Sequence, residues 1–216
     1  MRRTIPAVVI ITCLLITSLA SAAGPSGDVI LAAVKRNYSA VNDYRADVSL
    51  TVKGPQVSIN SMKMVVYFKK PNKIHADAVN GMAMVPNGTF FGNPFEQMTN
   101  CHATYVRTEM KQGRQCSVLK LNGSNMMSPS QGLTVWVDKE RLVPVAMQSA
   151  GEAALKTVWR HEKIDGKYYL PVEIIADMQA PEGPNSGKQI KATLKFSNYR
   201  VNKGISDKVF EQKPRK

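Results

Sequence analysis

The stretch Asp43-Tyr44-Arg45-Ala46-Asp47-Val48-Ser49-Leu50-Thr51-Val52-Lys53 alternates without a break. Tyr44, Ala46, Val48, Leu50 and Val52 fall on one side of an extended chain, and Arg45, Asp47, Ser49, Thr51 and Lys53 fall on the other. A period of two predicts a strand with one dry face and one wet face. Met62, Met64, Val66 and Phe68 repeat the pattern, and Ile74, Ala76 and Ala78 repeat it more weakly. Three neighbouring strands of this kind predict an antiparallel meander whose dry face must be covered.

Upstream, Ile30, Val34, Tyr38 and Val41 recur at helical spacing. They predict an amphipathic helix of about four turns, with Ser26 or Asp28 as N-cap, whose apolar stripe suits the dry face. Downstream, Asn80-Gly81 is a hairpin dipeptide, and Met82 and Met84 carry the apolar face onward. Asn93-Pro94-Phe95-Glu96 combines a cap, a first-turn proline and an acid, and predicts a short helix to about Asn100.

Further on, residues 104–121 predict a hairpin around Gln112-Gly113. Residues 133–137 and 142–148 pair about Asp138-Lys139-Glu140, where Pro144 marks an edge position or a bulge. Asp165-Gly166 joins residues 155–163 to 168–178, and Ile190, Ala192, Leu194 and Phe196 form the last clear strand. The expected fold class is α+β, mainly β. About ten or eleven antiparallel strands must curl, giving a strongly curved sheet, a half-open barrel, covered by two or more helices. Neither a repeat nor a linker divides residues 24–216, which are expected to form a single domain.

Residues 1–23 are read apart from that domain. Arg2 and Arg3 precede a short apolar stretch, and Ala20-Ser21-Ala22-Ala23 offers small residues for cleavage. This is the pattern of a secretory signal peptide, and the apolar run falls short of the ~20 residues that a membrane span needs. Export to the periplasm is the expectation. Cys13 would leave with the signal, and the even pair that remains, Cys101 and Cys116, predicts one disulfide, with two free buried thiols as the alternative.

The chain carries 29 Lys and Arg against 16 Asp and Glu, a net charge of +13. Without Arg2 and Arg3 the balance is 27 minus 16, or +11. Such a surface favours anionic partners, among them an anionic membrane surface touched peripherally; it equally serves solubility. No aromatic-basic motif points to nucleic acid. Catalytic signatures are also missing. His75, His102 and His161 share no metal-ligand spacing, and no Walker loop, nucleophile elbow or dinucleotide fingerprint occurs. Ser117-Val118-Leu119-Lys120 matches a Ser-x-x-Lys pattern, but it lies in an expected strand and lacks a Lys-Thr-Gly companion. Catalysis, a cofactor and a metal are therefore not expected.

Methionine stands out: ten of the eleven follow Met1, and Met62, Met64, Met82, Met84 and Met178 fall on dry faces. Methionine adapts to guests of varied shape, whereas packed cores favour branched side chains with fixed rotamers. Both an adaptable cavity for acyl chains and an ordinary Met-rich core fit this pattern.

Three segments, taken in order, resemble the periplasmic lipoprotein-carrier (LolA-like) superfamily. They are the turn Lys69-Lys70-Pro71-Asn72-Lys73-Ile74, the run Val135-Trp136-Val137-Asp138-Lys139-Glu140-Arg141-Leu142-Val143-Pro144-Val145, and the closing Phe196-Ser197-Asn198-Tyr199-Arg200-Val201-Asn202-Lys203-Gly204-Ile205 with Phe210. The resemblance implies a half-open barrel lidded by helices. Its apolar face would bind acyl chains of lipoproteins or lipids and move them between an inner-membrane donor and an outer-membrane acceptor, as a monomer and without catalysis. An envelope-stress sensor or assembly factor is the alternative that the same family implies. The cavity-facing candidates are Val48, Leu50, Val52, Met62, Met64, Val66, Phe68, Ile74, Met82 and Met84. The family's lid-holding arginine has no counterpart here, since Arg45 lies on the polar face of its strand.

Overall fold

The computed structural model describes residues 25–55, 57–79, 101–123, 132–149, 155–179 and 188–211. Helix α1 (Gly27–Ser39) leads into β1 (Asp43–Lys53), β2 (Ser58–Lys69) and β3 (Lys73–Ala78). Then follow β4 (His102–Lys111), β5 (Arg114–Asn122), β6 (Leu133–Asp138) and β7 (Pro144–Ser149). β8 (Lys156–Ile164), β9 (Tyr168–Gln179), β10 (Gln189–Val201) and the short α2 (Lys208–Glu211) complete the described elements. All ten strands form one open antiparallel sheet in the order β3-β2-β1-β10-β9-β8-β7-β6-β5-β4. The expected short helix from Asn93 lies outside the described residues.

Every neighbouring pair but one is sequential. The exception is β1 with β10, which pair from Tyr44↔Val201 to Lys53↔Lys191. The first and last strands therefore meet in the interior of the sheet, and its two edges are β3 and β4. A half-buried polar corner fixes this junction. Asn202 accepts the backbone N–H groups of Asn42 (2.7 Å) and Asp43 (3.2 Å) at Oδ1, and donates through Nδ2 to the Ala40 carbonyl (2.9 Å). The Asp43 carboxylate accepts in return from the N–H groups of Lys203 (3.1 Å) and Gly204 (3.2 Å). Backbone groups that leave the ladder thereby find side-chain partners.

The turns follow their sequence chemistry. Asp165 and Gly166 both have positive φ (51° and 63°), and Lys167 N–H donates to the Ile164 carbonyl at 3.0 Å. Two left-handed central residues match the right-handed twist of the flanking strands. Asp138 holds the β6–β7 turn: Oδ1 accepts from the N–H groups of Glu140 (2.9 Å) and Arg141 (3.1 Å), and Oδ2 from Arg114 (2.9 Å). Pro144 pairs with Val137 at a register shift, so it marks a bulge; the edge alternative fails because β7 is an interior strand.

One face of the sheet carries the main core, contributed by α1 and by all ten strands. The other face is polar over β1 and β2. Over β5 to β8 it holds a second apolar cluster of Cys116, Val118, Trp136, Val145 and Ala146, with Val158 packed against it. Trp136 donates through Nε1 to Glu109, and the Lys111 ammonium lies 4.4 Å from the indole centroid. β6 and β7 are thus dry on both sides, which explains the unbroken apolar runs at residues 135–137 and 143–147.

The expected disulfide does not form: Cys101 and Cys116 are free thiols. His102 pairs with Asn122, whereas Cys116 pairs with Glu109. Six residues of strand at ~3.4 Å each separate the two levels by about 20 Å, far beyond the ~7 Å that a bridge tolerates between Cα atoms. The thiols also lie on opposite faces, Cys101 against the main core and Cys116 in the outer cluster.

Candidate functional site: the inner face and its helix

The inner face is built by alternation. Val48, Leu50, Met64, Val66 and Phe68 are all buried there. Val52, Met62 and Ile74 are half-buried against the same cluster. Eight of the ten expected cavity residues therefore share one continuous apolar face; Met82 and Met84 lie outside the described residues. Register explains the grouping: Val48 sits between Met64 and Phe196, and Leu50 between Met62 and Leu194.

Helix α1 lies across this face, mainly against β4 and β9. It buries Ile30, Leu31, Val34 and Tyr38. Burial of side chains of this size contributes ~1.5–3 kcal/mol each, so α1 is held by roughly 6–12 kcal/mol of gross apolar contact. Polar tethers locate it. At its start, Asp28 Oδ1 accepts from the Ala103 N–H at 2.7 Å, so this residue ties the helix to β4 and does not act as a local cap. Gly27 permits that approach, since a Cβ at this position would come within 2.2 Å of the Ala103 carbonyl oxygen. At its end, Asn37 Nδ2 donates to the carbonyls of Arg141 (2.9 Å) and Leu142 (3.1 Å) in the β6–β7 turn.

The third tether is buried. Tyr38 Oη and His161 Nε2 lie 2.9 Å apart, joining α1 to β8 beneath the helix. Burial pushes the His161 imidazolium down to about 3, and the nearby Arg141 charge pushes the same way, so the ring is neutral. Burial raises the Tyr38 hydroxyl far above its ordinary value. This neutral pair fastens the middle of the sheet to the C-terminal half of α1. Sequence reading missed it because 123 residues separate the partners. The remaining signals were slight: Tyr38 on the apolar stripe, and His161 in step with Trp159 on the dry side of its strand. Arg45 is on the outer face, paired with Asp47 at 3.0 Å.

The chemistry of the site is that of a dry surface. Among the described residues, no group of three or more His, Cys, Asp or Glu side chains could hold a metal ion. Ser117 is buried and Lys120 is exposed; three residues apart in a strand, they face opposite sides of the sheet. His102 is exposed beside Asp28, 3.7 Å away. A groove of about 500 Å³ opens on the outer side between β7 and β8, which pair over only three residues. Two of its cations, Arg114 and Arg160, face Asp138 and Glu173, and Arg141, Lys191 and Asp177 also line it. No described helix is long and apolar enough to cross a membrane.

Comparison with solved structures identifies the fold. A putative outer membrane lipoprotein-sorting protein domain from Vibrio parahaemolyticus is similar over 85% of this chain and 95% of that one, at 14% identity and a TM-score of 0.62. A LolA superfamily protein from Nitrosomonas europaea is similar over 86% of this chain and 97% of that one, at 14% identity and a TM-score of 0.59. Comparison with curated proteins finds no match. The fold is LolA-like, a mainly β open sheet. A family model described as "-like: Uncharacterized protein" matches residues 96–214, more than half of the chain, and the protein belongs to that family.

Proposed function

We propose that this protein is a periplasmic carrier that receives acyl chains of lipids or lipoproteins on its inner face and moves them between membranes. The observation that supports this reading most is the nature of the cover. A continuous apolar face fed by all ten strands is crossed, among the described residues, by the 13-residue α1, which is fastened by apolar packing and hydrogen bonds. Lifting α1 costs its apolar contacts, roughly 6–12 kcal/mol. An acyl chain laid in its place returns ~0.8 kcal/mol per buried CH₂, so ten or so methylenes offset the opening. Exchange between a closed empty form and an open loaded form is then nearly balanced, as pick-up from a donor and release to an acceptor require.

The test is direct. Protein expressed from the full sequence and purified after export is extracted and examined by mass spectrometry for co-purified lipid, and is then titrated with a fluorescent fatty acid. Bound acyl lipid, or saturable uptake lost in Val52→Glu or Met62→Glu at unchanged melting temperature, is the expected result. Lipid-free protein that also takes up no probe refutes the reading.

A further inference from the structure

We propose that the outer face of β2, β1 and β10 is a docking surface for an anionic lipid bilayer. The proposal does not rest on acyl binding by the inner face, which lies on the other side of the sheet. Alternation sends Arg45, Lys53, Lys63, Lys191, Lys195 and Arg200 outward from these three strands. Two carboxylates share their parity among the described residues of β1, β2 and β10: Asp47, which pairs with Arg45 at 3.0 Å, and Asp43, which is buried and accepts from the N–H groups of Lys203 and Gly204.

The arrangement is costly for the fold. Arg45 stands directly opposite Arg200, and Lys53 directly opposite Lys191. Like charges at opposed positions of an antiparallel pair repel, where opposite charges would attract. Lys63 and Lys195 flank Ser49 from the two sides, adding a third row of cations across the same strip. The neighbouring half of the outer face is built differently: on β8 and β9, Arg160 meets both Glu162 and Glu173. Glu173 also reaches Lys195 at 3.8 Å and Asp177 stands opposite Lys191, so β9 offsets part of the β10 charge, and the excess of cations lies over β1, β2 and the Arg45–Arg200 end of β10.

The chemistry of the strip selects a bilayer over a folded protein partner. Protein interfaces draw their energy from aromatic and aliphatic anchors seated in pockets. Here the positions between the cations on β1 and β10 are small hydroxyl residues, Ser49, Thr51 and Thr193, the Ser49 and Ser61 hydroxyls bond each other at 3.2 Å, and the outward apolar side chains of β2, Val65 and Tyr67, are half-buried. Long cationic side chains over a floor of short polar ones can each reach a separate headgroup phosphate, and the anionic surface relieves their mutual repulsion. Each Lys or Arg near such a surface contributes about a fivefold gain in affinity.

Lys53→Glu tests the proposal without threatening the fold. The change places a carboxylate opposite Lys191, so stability is retained or raised while the strip loses two units of charge. Wild type is expected to sediment with vesicles of phosphatidylglycerol and phosphatidylcholine at low salt, to be released at high salt, and to ignore pure phosphatidylcholine. Lys53→Glu should bind on the order of tenfold more weakly, with an unchanged or higher melting temperature. Lys139→Glu, with the same net charge but its change in the exposed β6–β7 turn, should bind like wild type. Equal loss in the two variants, no loss in Lys53→Glu, or equal affinity for neutral vesicles would each overturn the proposal. So would displacement from vesicles by soluble polyglutamate at matched salt, which would assign the strip to acidic polymers.

Discussion

Replacing His161 by Gln should flatten part of the acid dependence of stability. His161 is held neutral in the folded protein, at about 3, because its ring is buried against Tyr38 of α1 with the Arg141 guanidinium nearby; the Asp138 carboxylate opposes the shift only in part. In the unfolded chain the ring titrates near its ordinary value of ~6.5. The folded value is the lower of the two, so the unfolded state binds the extra proton. The contribution of His161 is therefore fully present above pH ~6.5 and is lost as pH falls toward the folded value. Between pH 7 and pH 4.5 this amounts to about 2.5 kcal/mol, at ~1.4 kcal/mol per unit once the unfolded ring is protonated. For a chain of this size that is a fall of roughly 5–10 °C in melting temperature.

The assay is urea unfolding followed by tryptophan fluorescence, at half-unit steps of pH, for wild type and His161→Gln. Glutamine can still meet the Tyr38 hydroxyl but cannot take up a proton in this range. Asp207 and Glu109 are held below the usual carboxylate range by their hydrogen bonds to Lys69 and Trp136, so their losses fall mainly below the window and are common to both proteins. The expected outcome is a wild-type curve that falls away from the variant by about 2.5 kcal/mol by pH 4.5. Parallel curves would refute the assignment of a buried neutral His161 under the helix.

Two further outcomes follow from the same geometry. Gly27→Ala should destabilise the protein by about 1–3 kcal/mol through overpacking against the Ala103 carbonyl, and should loosen the N-terminal turn of α1; amide hydrogen exchange at Ala103 measures this directly. Thiol titration should find Cys101 and Cys116 reduced, with no change in melting temperature on adding a reductant. Burial pushes the Cys116 thiol up to about 11, and Asp138 adds to the shift, so Cys116 should react with a disulfide reagent only as fast as the sheet opens.

Much of this architecture was legible in residue order because it rests on local physics. Alternation from Tyr44 to Val52 and from Met62 to Phe68 assigns each side chain to a face whatever the strand pairs with, since the pleat has a period of two. Asp165-Gly166 and Gln112-Gly113 announced their hairpins because left-handed backbone is open to few residues. The spacing of Ile30, Val34 and Tyr38 is likewise a property of one helix. These features specify an open, mainly β sheet with a dry side and a helix to cover part of it.

Tertiary structure decided whatever depends on residues distant in sequence. Two cysteines fifteen positions apart looked ready to bridge, yet register set them about 20 Å apart on opposite faces. The pairing of β1 with β10 brought Arg45 against Arg200 and Lys53 against Lys191, concentrating on one strip a charge that composition alone spreads over the chain. Tyr38 found His161 only because the helix crosses β8. Sequence assigns side chains to faces through short-range sterics, but neighbours across strands and beneath a helix are chosen by the global packing that buries the most apolar surface, which no local pattern encodes.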